Sequence, residues 1–161
     1  MEEGNIHVIA AELGQQLKSQ GLWLVTAESC TAGLIAGAIT DAAGSSAWFE
    51  RGFVTYSNRA KHDMLDVPYH LLEEKGAVSE EVVRLMSHHA CERSSCAVGV
   101  AASGIAGPDG GSIDKPVGTV WLSWCVSGDV TAERYLFAGN REEIRLRAVH
   151  AALTGLLTRL S

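Results

Sequence analysis

Residues Thr26-Ala27-Glu28-Ser29-Cys30-Thr31-Ala32-Gly33 place three hydroxyls, a thiol and a carboxylate in one short segment. A serine hydroxyl attacks a carbonyl only when a base takes its proton and N–H groups receive the oxyanion that forms. The N–H groups of Cys30 through Gly33 are candidate donors, and the small residues Ala32 and Gly33 allow a ligand to come close. Cys30 is a rival nucleophile, because a helix N-terminus lowers a thiol pKa. A plainer reading is that Ser29 or Thr31 caps the following helix. A second group lies in Thr55-Tyr56-Ser57-Asn58-Arg59-Ala60-Lys61. Lys61 can serve as the base if desolvation or nearby positive charge lowers its pKa, and Tyr56 can relay a proton or orient the amine. A solvated helix lysine and an amphipathic strand-end tyrosine are the plainer readings there.

Two further segments have binding chemistry. Ser103-Gly104-Ile105-Ala106-Gly107-Pro108-Asp109-Gly110-Gly111 opens a glycine-rich loop whose backbone can lie against a ligand. It contains neither a Walker pattern nor GxGxxG. Arg141 and Arg145, spaced i, i+4 near a helix start, share a face and can hold a phosphate, unless Glu142, Glu143 or Glu133 neutralises them on a solvated surface.

The chemistry needs elements to position it. Leu22-Trp23-Leu24-Val25 reads as a strand feeding the Ser29 turn, and a helix spans 31–42. Ile6, Ile9, Ala10, Leu13 and Leu17 share one face of a first helix. Gly44-Ser45-Ser46 breaks the chain before a second strand at Phe53-Val54-Thr55-Tyr56. Asn58 caps a helix through Lys61 toward Leu65, Pro68 starts a short one, and Ser79 opens a long one to about Arg93. Cys96–Ala102 reads as a buried central strand. Thr119–Val126 and Val130–Phe137 form a hairpin about Ser127-Gly128-Asp129, and Arg141–Leu160 is a closing helix. This order predicts a single-domain α/β fold, a three-layer α/β/α sandwich with a mixed, mostly parallel sheet.

The chain has 161 residues, enough for one domain with a substantial core. A net charge of −6 argues against a nucleic-acid surface. No apolar run approaches membrane-spanning length, and the acidic start Met1-Glu2-Glu3 is no secretory signal, so a cytoplasmic protein is expected. The four cysteines show no metal or redox spacing and are expected to be free and mostly buried.

Taken together, these segments resemble the CinA C-terminal family of nicotinamide-nucleotide amidases. The resemblance runs through Glu28–Gly33, Gly52–Asn58 with Lys61, Gly76-Ala77-Val78-Ser79, Ser103–Pro108, Lys115–Val120 and Gly139-Asn140-Arg141. It covers essentially the whole chain in stand-alone form. It implies hydrolysis of the carboxamide of nicotinamide mononucleotide in pyridine nucleotide recycling, by a homodimer without metal or organic cofactor. Carried over by position, Ser29 is the nucleophile, Lys61 its base and Tyr56 a supporting group. Cys30, Thr31, Ala32, Gly33, Ser46, Asn58, Ser103, Gly104, Ile105, Ala106 and Gly107 are substrate contacts, with Arg141 or Arg145 on the phosphate. Position 32 departs from the pattern, carrying alanine where a second glycine is usual. That substitution motivates a different reading, a catalytically weak paralogue that binds nucleotide in a regulatory role. A DNA-uptake accessory, suggested by the family's competence-linked name, is opposed by the acidic charge.

Overall fold

The computed structural model describes residues 3–161. Its elements, in chain order, are α1 (Glu3–Gln20), β1 (Leu24–Glu28), α2 (Leu34–Thr40), β2 (Phe49–Val54), α3 (Asn58–Leu65), α4 (Tyr69–Lys75), α5 (Glu80–Ser94), β3 (Val98–Gly104), β4 (Thr119–Val126), β5 (Asp129–Leu136) and α6 (Arg141–Leu160), with one 3-10 turn at Ser45–Ala47. The strands form a single mixed sheet in the order β2-β1-β3-β4-β5. β1 pairs in parallel with both β2 and β3, while β3–β4 and β4–β5 are antiparallel. Four of the five strands therefore point the same way.

The alternation of side chains along each strand divides the core into two layers. Leu24, Val100, Leu122 and Trp124 pack toward α1, α2 and α6. Val25, Ala27, Ala101 and Cys125 pack toward α3, α4 and α5. The expected α/β/α sandwich is the observed architecture. The stripe Ile6, Ala10, Leu13 and Leu17 is buried as its helical spacing predicts.

Differences from the sequence-based boundaries have physical causes. β1 continues through Thr26 and Glu28, both fully buried, although polar residues normally mark the end of a core strand. β2 begins at Phe49 rather than Phe53; it is an edge strand whose Glu50, Arg51 and Gly52 stay exposed, so it lacks an apolar run. α2 starts only at Leu34, because Ala32 and Gly33 both have left-handed backbone angles, φ 46° and 96°. The cap of α3 is Ser57, whose Oγ accepts the Ala60 N–H at 3.0 Å, and Asn58 is the first helical residue.

The placement of α6 depends on the absence of a side chain at Gly155. A Cβ there would come within 2.2 Å of the buried Trp124 ring. The helix therefore lies close over β4, and the Trp124 indole N–H donates to the Ala152 carbonyl at 3.0 Å. Close seating of this helix fixes where its first turns, carrying Arg141 and Arg145, reach the sheet.

Candidate active site

β1 lies between two parallel neighbours. Its connection to β2 passes through α2 on one face, while the chain returns from β2 to β3 through α3, α4 and α5 on the other. Such a divergence opens a crevice at the carboxyl ends of the strands. Ser29 follows β1 there. Its N–H donates to Ala102 O (2.9 Å), and Glu28 O accepts from Thr55 N–H (2.9 Å), so the turn is tied to both neighbouring strands.

Lys61 enters this crevice from α3 and is almost wholly buried, 1% exposed. Its Nζ lies 2.9 Å from Ser29 Oγ, 2.9 Å from the Thr55 carbonyl and 3.2 Å from the Tyr56 carbonyl. None of the ion pairs among the described residues includes it. Desolvation by burial lowers its pKa to about 8, so the amine is neutral in a useful fraction near physiological pH. A neutral Nζ can accept the Ser29 proton. The Cys30 thiol has the opposite fate: burial, then the charge of Glu28, pushes it up to about 12, which leaves it a protonated thiol.

Tyr56 supports the pair through its backbone. The carbonyl faces Lys61 and also lies 3.4 Å from Ser29 Oγ, while the exposed phenol points elsewhere and receives a hydrogen bond from Arg141 Nη2 at 3.3 Å. Arg141 Nη1 donates to Gly107 O at 2.6 Å, so this guanidinium joins the tyrosine to the glycine-rich loop. The loop's Gly107 has φ 78°, and a Cβ there would come within 2.4 Å of Val117. Only glycine fits that bend.

Glu28 organises the turn from beneath. Its buried carboxylate accepts from Thr31 Oγ1 (2.7 Å), Ile35 N–H (2.8 Å) and Ala36 N–H (3.0 Å). The cap position of α2, Gly33, has no side chain to offer, so Glu28 does the capping from seven and eight residues earlier. These bonds occupy the amides of α2. The Ala32 N–H, expected as an oxyanion donor, is also taken, by the Ser29 carbonyl at 3.0 Å.

A cavity of about 300 Å³ opens above Ser29 and Lys61, at the small end of the range for small-molecule sites. Of the expected contacts, Cys30, Tyr56, Asn58, Ser103, Gly104, Ile105, Ala106, Gly107 and Arg141 line it with the Ser29–Lys61 pair. Thr31 is buried beneath the turn, and Ala32, Gly33 and Arg145 lie outside the cavity wall. Ser46 sits in the 3-10 turn before β2, at the amino end of the parallel strands, a strand length of roughly 17 Å from the site. The structure therefore separates Ser46 from the other predicted contacts. Arg145 is withdrawn because Nε and Nη2 donate to the Cys30 and Thr31 carbonyls at 3.0 and 3.4 Å.

Ala77, Val78, Asp109 and Gly110 also line the cavity. Ala77 and Val78 come from the connection before α5, where Ser103 Oγ donates to Ala77 O at 2.8 Å. Both belong to the Gly76–Ser79 match, and Asp109-Gly110 to the glycine-rich loop, so these segments carried the signal. The departure at position 32 also has an answer. Alanine pays a left-handed backbone strain of about 1 kcal/mol, but the residue is exposed and away from the cavity.

The family model for the CinA C-terminal domain matches residues 6–160. A nicotinamide-nucleotide amidohydrolase PncC of Enterobacter agglomerans is 54% identical over 149 residues, covering 92% of this chain and 91% of that protein. One from Pseudomonas putida is 53% identical, covering 94% and 95%. The crystal structure of the competence/damage inducible protein CihA from Agrobacterium tumefaciens superposes with a TM-score of 0.92 at 46% identity, over 95% of this chain and 94% of that one.

Burial of Lys61 has a thermodynamic consequence. Its folded pKa, about 8, lies below the ordinary value of 10.5. Between those values the unfolded chain binds a proton that the folded one has released, so stability rises with pH. Chemical denaturation of wild type and Lys61→Met at pH 7.5 and pH 10.5 should show the wild type gaining about 3 kcal/mol relative to the variant across that window. Parallel curves for the two proteins would mean that Lys61 keeps its ordinary pKa.

Proposed function

Because the chain belongs to the CinA C-terminal domain family, we propose that it hydrolyses the carboxamide of nicotinamide mononucleotide to nicotinic acid mononucleotide and ammonia, with Ser29 as nucleophile and Lys61 as base. The observation that carries this reading is the buried Lys61 Nζ, 2.9 Å from Ser29 Oγ beneath an open cavity. The amidohydrolase names of relatives matching nearly the full chain at about half identity support the substrate.

In the proposed sequence, neutral Lys61 takes the Ser29 proton as Oγ adds to the carboxamide carbon, giving a tetrahedral oxyanion. The C–N bond then breaks. Lys61 returns its proton to the departing nitrogen, ammonia leaves, and the nicotinoyl group remains as an ester on Ser29. Water attacks that ester, again giving its proton to Lys61, and the acid is released with Ser29 restored. The carbonyls of Thr55 and Tyr56 hold the ammonium form of Lys61 between transfers. Arg141 has donors left after bonding Gly107 and Tyr56, and it is the phosphate's partner at the rim. The working unit is a homodimer in the cytoplasm, serving pyridine nucleotide recycling, as the resemblance implies. A sedimentation mass equal to that of one chain at assay concentration would refute the dimer.

Ammonia release from nicotinamide mononucleotide tests the chemistry. Wild type should turn over, and Ser29→Ala and Lys61→Ala should each lose on the order of 10³-fold or more in kcat. Cys30→Ala should keep most of the rate, and Ala32→Gly, changing an exposed residue off the cavity, should match wild type. Since only the neutral amine is active, kcat/KM should rise about tenfold per pH unit below pH 8 and level off above it. Activity that survives Ser29→Ala and disappears in Cys30→Ala would transfer the reaction to the thiol. Tight nucleotide binding without turnover would favour the regulatory reading.

A further inference from the structure

When Ser29 Oγ adds to a carboxamide, the carbonyl oxygen becomes anionic and needs donors already in place. The amides of Ile35 and Ala36 are committed to Glu28, and that of Ala32 to the Ser29 carbonyl. The N–H groups of Cys30, Thr31 and Gly33 have no backbone acceptor among the described residues; Gly33 lies outside the cavity wall, which leaves those of Cys30 and Thr31.

Their direction follows from peptide geometry. In a planar trans peptide, C=O and N–H point to opposite sides. The Ser29 carbonyl is held inside the turn by the Ala32 N–H, so the N–H of Cys30 in the same peptide points outward from it. Cys30 is a cavity-lining residue. The Cys30 carbonyl is held toward α6 by Arg145 Nε at 3.0 Å, so the N–H of Thr31 points away from α6. A second donor of the same guanidinium reaches the Thr31 carbonyl at 3.4 Å. One planar fork thus grips two consecutive carbonyls, which a lysine's single ammonium cannot reproduce in the same geometry.

We propose that Arg145 is a positioning residue for catalysis: its hold on the Cys30 carbonyl aims the Thr31 N–H, and its hold on the Thr31 carbonyl fixes the peptide whose Ala32 N–H pins the Ser29 carbonyl, which in turn aims the Cys30 N–H at the oxyanion. The proposal rests on the amidase reading. It divides the labour of the two α6 arginines, with Arg141 on the cavity side and Arg145 behind the turn.

Steady-state kinetics on Arg145→Met, Arg145→Lys and Arg141→Met test it, together with amide hydrogen exchange of the substrate-free proteins. Arg145→Met should lose about 10²-fold in kcat, the scale of a small misplacement of a reacting group, with KM within about twofold. Arg145→Lys should fall between it and wild type, and added methylguanidinium should restore part of the Arg145→Met rate. Arg141→Met should act chiefly on KM. Exchange at the Ala32 and Leu34 amides, which bond the Ser29 and Thr31 carbonyls, should quicken in Arg145→Met while β1 and β3 stay protected. An unchanged kcat, a loss carried by KM, or unaltered exchange at both amides would overturn the proposal. A wild type that releases no ammonia would remove the amidase reading, and the exchange measurement would still decide whether Arg145 holds the turn. If Arg145→Met does not fold, Arg145→Lys carries the same readouts.

Discussion

The site is organised around a lysine kept out of water without a carboxylate to hold its charge. Lys61 Nζ meets only a hydroxyl and two backbone carbonyls, and its proton is correspondingly loosely held. Burying an ammonium is expensive unless it is paired. The fold accepts that cost because three structural features converge on one atom: the carboxyl end of β1 presents Ser29, the residues after β2 present two carbonyls, and α3 aims the amine between them. Moving any of these would give Lys61 either a full charge in water or no acceptors. The same low-dielectric setting keeps the Cys30 thiol protonated, so one environment activates the amine and silences its sulfur neighbour.

The nucleophile's turn is held from several sides. Glu28 binds the start of α2 from below, the strands on either side hold the backbone of Glu28 and Ser29, and Arg145 grips the carbonyls from α6. The opposite wall is fastened by Arg141, which ties the Tyr56 phenol to Gly107. The first turns of α6 thus act on both sides of the cavity. Their position depends in turn on Gly155 lying against Trp124, near the far end of the same helix. Rigid support of this kind is what a nucleophile–base pair requires, since small displacements cost much of the rate.

The architecture was legible from the periodicity of α1 and α6, the apolar run of β3 and the turn residues of the β4–β5 hairpin. The active-site pair was legible in part. Ser29 stands out because hydroxyl, thiol and small residues follow a strand, whereas Lys61 looks like any surface lysine until the segment as a whole is compared with a family pattern. Its burial is a tertiary fact, produced by strand ends 6 and 32 residues away in sequence. Glu28 was hidden for the same reason: an acid closing a strand gives no sign that it will cap a helix seven residues later. Arg141 and Arg145 share a helix face, so sequence alone could not assign one to the cavity and the other to the turn. Ser46 followed the family pattern by position, but residence at the amino end of the sheet removes it from this chain's cavity.

The central claim concerns one proton, and it can be observed directly. An NMR titration of Lys61, through its Cε and Nζ resonances assigned by comparison with Lys61→Met, follows that group without substrate or turnover. The account predicts a midpoint near pH 8, set by burial. A midpoint at the ordinary lysine value near 10.5 would contradict it, leaving Ser29 without a base at neutral pH.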